Sequence, residues 1–134
     1  MKTLVMTLCL LAGGFSTASY AQATSNKVQQ QKKKAVAVRL SKQAFKSKLE
    51  TASNAQLVDV RTPEEFAAGT INGAVNMNYY GTDFQEQLQS LDPTKPVFIF
   101  CKSGGRSSQA LKKMAAMGFQ EVYELEGGYS GWAK

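Results

Sequence analysis

Cys101, Lys102, Ser103, Gly104, Gly105, Arg106 and Ser107 form one stretch that combines a nucleophilic sulfur, two cations, two glycines and two hydroxyls. It follows the apolar run Pro96–Phe100 and leads into a segment of helical spacing that opens near Ser107. A strand that ends in a Cys and turns through small residues into a helix resembles an anion-cradling turn of an α/β protein. Backbone N–H groups converge in such a turn, and the helix start adds partial positive charge. A sulfur held there is favoured as the thiolate, the form that attacks electrophiles.

The chain contains no histidine, which prunes the chemistry sharply. A Ser-His-Asp triad, a Cys-His pair and a His-ligated metal are all excluded. If Cys101 is the nucleophile, backbone dipoles and cations must activate it. The other cysteine, Cys9, lies in an N-terminal segment with the features of a secretory signal: Lys2, the apolar run Leu4–Ala12, and the cleavage pattern Ala21-Gln22-Ala23. We read residues 1–23 as that signal, cleaved after Ala23 or Ala21, and expect an exported, periplasmic protein. The apolar run falls short of the ~20 residues that span a bilayer. After cleavage Cys101 is a lone thiol, which forms no internal disulfide and no Cys/His zinc site. Neither a metal nor a cofactor is expected.

The 134 residues suit one domain, and 43% hydrophobic content is ordinary for a globule. Residues 24–34, with Lys27, Lys32, Lys33 and Lys34, lack an apolar period and read as a basic, disordered leader. Those lysines carry no interleaved aromatics, so nucleic acid is not an expected partner.

Residues 35–134 alternate strand and helix signals. Ala35–Leu40 reads as a strand, and Ser41 caps a helix over Gln43–Thr51 that stops at Asn54. Leu57–Val60 is a short buried strand. Thr62, Pro63 and Glu65 form a capping-box helix start, with Gly69 as its stop. Ile71–Asn76 turns into another strand. Thr82 or Asp83 caps a helix carrying Phe84, Leu88 and Leu91. After Pro96–Phe100 and the Cys101 loop, a helix over Ser107–Met117 buries Ala110, Leu111, Met114 and Met117 and ends at Gly118. Glu121–Leu125 is a last strand, and Gly127-Gly128 turn the chain toward Trp132. This alternation predicts a parallel sheet with helices on both faces and a ligand site at the carboxyl ends of the strands.

Three stretches in order resemble the rhodanese-like sulfurtransferase domain. They are Leu57–Val60 with Arg61, Glu65, Phe66 and Gly69 through Gly73–Asn76, the loop Cys101-x-x-Gly104-x-Arg106-Ser107, and Gly127-Gly128 with Trp132. The resemblance implies a five-stranded parallel α/β sheet and a six-residue loop, Cys101 to Arg106, that carries a persulfide. Phosphatase-like relatives have a loop one residue longer, so this spacing points to sulfur transfer. Lys102 and Ser103 take the loop positions that tune which anion approaches, and Lys102 beside the thiolate should depress its pKa. Gly104 and Gly105 let the backbone curl, and Arg106 braces the loop and attracts the donor. Asp59, Arg61 and Glu65 read as structural support beneath the loop. Tyr129 and Trp132 read as packing residues. Where the family commonly has Gly-His-Ile, this chain has Gly69-Thr70-Ile71, and Thr70 is expected to replace the His as a local hydrogen-bonding group.

The implied partners are a small anionic sulfur donor and a thiol or cyanide-like acceptor, acting on a monomer. A non-catalytic sulfur-carrier or protein-interaction module is the alternative. A phosphatase or arsenate reductase would need a roomier loop, and a thiol–disulfide oxidoreductase would need an external resolving thiol.

Overall fold

The computed structural model describes residues 34–134. The signal expected at 1–23, Cys9 within it, and the leader up to residue 33 lie outside the described residues. Five strands alternate with five helices: β1 (Val36–Leu40), α1 (Lys42–Thr51), β2 (Gln56–Asp59), α2 (Pro63–Ala67), β3 (Val75–Asn76), α3 (Phe84–Gln89), β4 (Val97–Phe100), α4 (Gly105–Ala116), β5 (Glu121–Leu125) and α5 (Gly128–Trp132). The strands form one sheet in the order β1-β5-β4-β2-β3. Every pairing is parallel, as the alternation predicts. No helix among the described residues is long and apolar enough to cross a membrane.

The central strand β4 is buried along its whole length, and its side chains alternate between two cores. Val97 and Ile99 join Val58, Val122, Leu88, Ala110 and Met114 on the face covered by α3 and α4. Phe98 and Phe100 join Phe45, Leu57 and Leu125 on the opposite face, where Trp132 of α5 also packs. Phe45 meets Phe98 edge-on with ring centroids 5.3 Å apart. Full burial of each such ring contributes about 1.5–3 kcal/mol. This two-faced burial fixes the end of β4, and so the position of Cys101.

Local signals set the helix ends. Ser41 accepts from the Ala44 amide, and Thr62 with Glu65 completes a reciprocal capping box. Asn54 turns with φ of 57° and Gly118 with φ of 90°. Asp83 occupies the cap position of α3 but makes no capping bond; its carboxylate accepts from Gln87 instead. Leu91 lies beyond α3 yet still packs on the α3/α4 core.

Two expectations need correction. Helix α4 starts at Gly105, two positions before Ser107. Gly104 adopts φ of 113° and its carbonyl accepts from the Ser108 amide, so the first helical turn closes while the residues are still polar. The apolar period that marks this helix in the sequence begins only later. The second concerns the segment toward Trp132: Gly127 turns the chain as expected, but Gly128 opens a short helix, α5, that the sequence pattern does not predict. Five residues are too few to display a helical period.

Candidate active site

Cys101 directly follows β4 and is buried. The Gly104 amide donates to its Sγ at 3.0 Å, and the Ser107 hydroxyl lies 3.4 Å from the same sulfur. Burial acts to raise the thiol pKa. The Ser107 hydroxyl and the amides of Ser107, Gly104 and Ser103 outweigh it, and the pKa falls below its ordinary 9.0. The early start of α4 sharpens the effect, because the sulfur sits within hydrogen-bond reach of the residue that caps a twelve-residue helix.

The sulfur opens onto a pocket of about 370 Å³ lined by Tyr79, Tyr80, Cys101, Ser103, Gly105, Arg106 and Gln109. Of the sequence-selected residues, Ser103, Gly105 and Arg106 line it with Cys101. Gly104 is buried beneath it. Lys102 is exposed and is not among the lining residues; its carbonyl accepts from the Ser130 amide.

Arg106 makes a forked pair with Glu65, Nη1 to Oε2 at 2.6 Å and Nη2 to Oε1 at 2.9 Å. The same carboxylate accepts from the Thr62 amide in the capping box at 3.0 Å. The N-terminus of α2 is thereby tied to the loop. The Arg106 hydrogen bond is the chief reason that the Glu65 pKa falls to about 2. Beneath this layer, the buried Asp59 accepts from Arg61 Nη2 at 2.6 Å and from Thr70 Oγ1 at 2.8 Å. Arg61 also donates to the Gly69 carbonyl at 2.7 Å, and its guanidinium lies 4.2 Å from the centroid of the Tyr129 ring. Thr70 thus fills the local hydrogen-bonding role expected of it.

Helix α5 closes the loop from the far side. The amides of Tyr129 and Ser130 donate to the carbonyls of Cys101 and Lys102 at 2.8 and 3.0 Å. Approach this close requires glycine at position 128, where a Cβ would stand 2.5 Å from the Cys101 carbonyl oxygen and 2.6 Å from that of Lys102. With those carbonyls engaged by α5, the amides of Ser103 and Gly104 are free to face the sulfur.

Sequence reasoning did not single out Tyr79, Tyr80, Gln109, Arg39 or Glu124 for the site. The tyrosines sit in a turn without periodicity and reach the pocket only through the fold. Glu124 did carry a signal, an acidic residue inside a strand otherwise read as buried.

The model of the rhodanese-like domain family matches residues 41–134. The chain is 40% identical over 87 residues to thiosulfate sulfurtransferase 16, chloroplastic, of Arabidopsis thaliana, which covers 58% of this chain and 72% of that protein. It is 33% identical over 81 residues to the thiosulfate sulfurtransferase GlpE of Shewanella oneidensis, covering 60% of this chain and 78% of the relative. A crystal structure of a rhodanese-like domain protein from Staphylococcus aureus superposes with a TM-score of 0.62 at 30% identity, covering 70% of this chain and 89% of the other. A family match across most of the folded residues, relatives that are sulfurtransferases and a shared parallel sheet agree: the chain belongs to the rhodanese-like domain family.

Proposed function

We propose that this protein moves a sulfane sulfur from a small anionic donor, such as thiosulfate, to a thiol or cyanide-like acceptor through a persulfide on Cys101. The observation that carries this reading is the Gly104 amide 3.0 Å from a buried sulfur that opens onto the Arg106-lined pocket. In the first half-reaction the Cys101 thiolate attacks the outer sulfur of thiosulfate. The sulfur–sulfur bond of the donor breaks, its electron pair leaves on sulfite, and Cys-S-S⁻ remains. In the second, cyanide attacks the terminal sulfur and leaves as thiocyanate, which restores the thiolate. Neither step moves a proton, in keeping with a chain that lacks histidine. This is two-step covalent catalysis, with the negative charge held by amides and a helix start.

Thiosulfate treatment followed by intact mass measurement is expected to add one sulfur to Cys101. Thiosulfate with cyanide should then yield thiocyanate, and Cys101→Ser should abolish both. Retained turnover in Cys101→Ser would falsify the mechanism. The alternative, a sulfur-binding or protein-docking module without turnover, is favoured by one observation: Glu65 already neutralises the Arg106 charge. In that case the protein binds a partner but thiosulfate does not load the thiol. We place the protein in the periplasm on its N-terminal pattern, and the mature protein is expected to begin just after Ala23 or Ala21 when its N-terminus is read by mass spectrometry.

A further inference from the structure

Glu124 is a fully buried acid that the proposed sulfur transfer does not use. It lies on β5 directly opposite Arg39 of β1 and Ile99 of β4. Its side chain therefore occupies a place on the α4 face of the sheet, two residues beyond the fully buried Val122. A carboxylate in such a place is costly unless its oxygens are satisfied. Arg39 Nε donates to Oε2 at 3.2 Å, and the Ser107 hydroxyl lies 2.8 Å from Oε1. The Arg39 guanidinium is anchored in turn by the Ser108 hydroxyl at 2.9 Å. Glu124 Oε1 also lies under the loop, 3.7 Å from where a Cβ on Gly104 would stand.

Ser107 is the point of conflict. Its oxygen has three acceptors within reach: Glu124 Oε1 at 2.8 Å, the Gly104 carbonyl at 3.3 Å and Cys101 Sγ at 3.4 Å. A hydroxyl has one proton to give. The nearest acceptor is the carboxylate, and a proton given to Glu124 turns a lone pair of Ser107 toward the sulfur.

We propose that Glu124, clamped by Arg39, competes with the Cys101 thiolate for the single proton of Ser107 and so sets how strongly the loop holds the thiolate's charge. Glu124 is then a positioning residue that acts through Ser107. The competition suits a sulfur that must attack: a thiolate held less tightly keeps more of its intrinsic nucleophilicity. It also suits the loaded state, in which the charge has moved to the outer sulfur and the inner sulfur no longer needs the proton. The charged groups around this network are Arg39 from β1, Glu126 beyond β5, which acts on Arg39, and Arg106 from α4, which acts on Cys101. Neither Glu126 nor Arg106 is hydrogen-bonded to Ser107.

This inference rests on the reading of Cys101 as the reactive thiolate. Its test is the pH dependence of Cys101 alkylation by iodoacetamide in the full chain, read by peptide mass spectrometry so that Cys9 does not interfere. Glu124→Gln is expected to lower the midpoint by about 0.5 to 1 pH unit. Glu124→Asp keeps the charge but withdraws it from Ser107, and it should lower the midpoint in the same direction. In a Ser107→Ala background Glu124→Asp, which keeps the charge, should leave the midpoint where it is, and Glu124→Gln should retain only the smaller shift that loss of a nearby negative charge produces by itself. An unchanged or raised midpoint in Glu124→Gln, wild-type behaviour of Glu124→Asp, or an Asp shift that survives Ser107→Ala would each overturn the proposal. Should Glu124→Gln fail to fold, the charge-conserving Glu124→Asp decides by itself. The midpoint requires no turnover, so a Cys101 that never loads sulfur would overturn the function above and leave this result standing.

Discussion

Arg106 illustrates how one side chain serves two neighbours. Its planar fork meets both oxygens of Glu65 while its position on the pocket wall faces incoming anions. A lysine keeps the charge but not the fork. Arg106→Lys is therefore expected to slow sulfur loading from thiosulfate several-fold and to lower the thermal midpoint, as read by persulfide formation over time and by melting. Thr70 makes a simpler case. Thr70→Val removes the O–H that reaches Asp59 while four Arg61 contacts remain, so denaturant titration should register a loss of about 1 kcal/mol. Cys101, the glycines and Arg106 were legible in the sequence because their types are unusual together. Tyr80, 68% exposed at the pocket mouth, was not, because nothing local links it to a loop more than twenty positions away.

Among the elements, α5 has only five residues yet bears directly on the cysteine loop. The amides of its second and third residues hold the carbonyls of Cys101 and Lys102, and Gly128 makes the contact possible. Gly128→Ala must push α5 away from the loop, and φ of 56° at that residue adds strain. We expect a stability loss of more than about 1 kcal/mol in urea titration, together with impaired persulfide loading. Elements marked by caps or apolar runs, such as α1, α2 and β4, could be read from residue types alone. The start of α4 and the whole of α5 could not. Both depend on glycines whose positive φ becomes favourable only when a neighbouring element supplies the hydrogen-bond partners.

At the scale of the whole molecule, the Arg106–Glu65 bond makes folding sensitive to acid. The Glu65 pKa of about 2 in the folded chain lies below its ordinary 4.5, so the unfolded chain binds the proton more tightly. The stabilisation is fully present above pH 4.5 and fades as pH falls toward 2. Thermal melting across that window should show a slope that Glu65→Gln reduces. Because this side chain is 28% exposed, solvent screening keeps the contribution modest. The parallel architecture was legible from the strand–helix alternation. The strand order was not, since short apolar runs carry no record of which neighbour each will pair with.

That order has a consequence in time. Among the described residues strand β1 has β5 as its only neighbour in the sheet, and Arg39 meets Glu124 across 85 positions of chain. Closing so long a loop costs entropy before any contact rewards it, so the first strand has to wait for the last. Amides at 36–40 should accordingly gain protection from hydrogen exchange in the latest refolding phase, after β4 and β2. Until that edge docks, the acid beside Ser107 lacks its cation, and the cysteine loop matures only when the two ends of the fold meet.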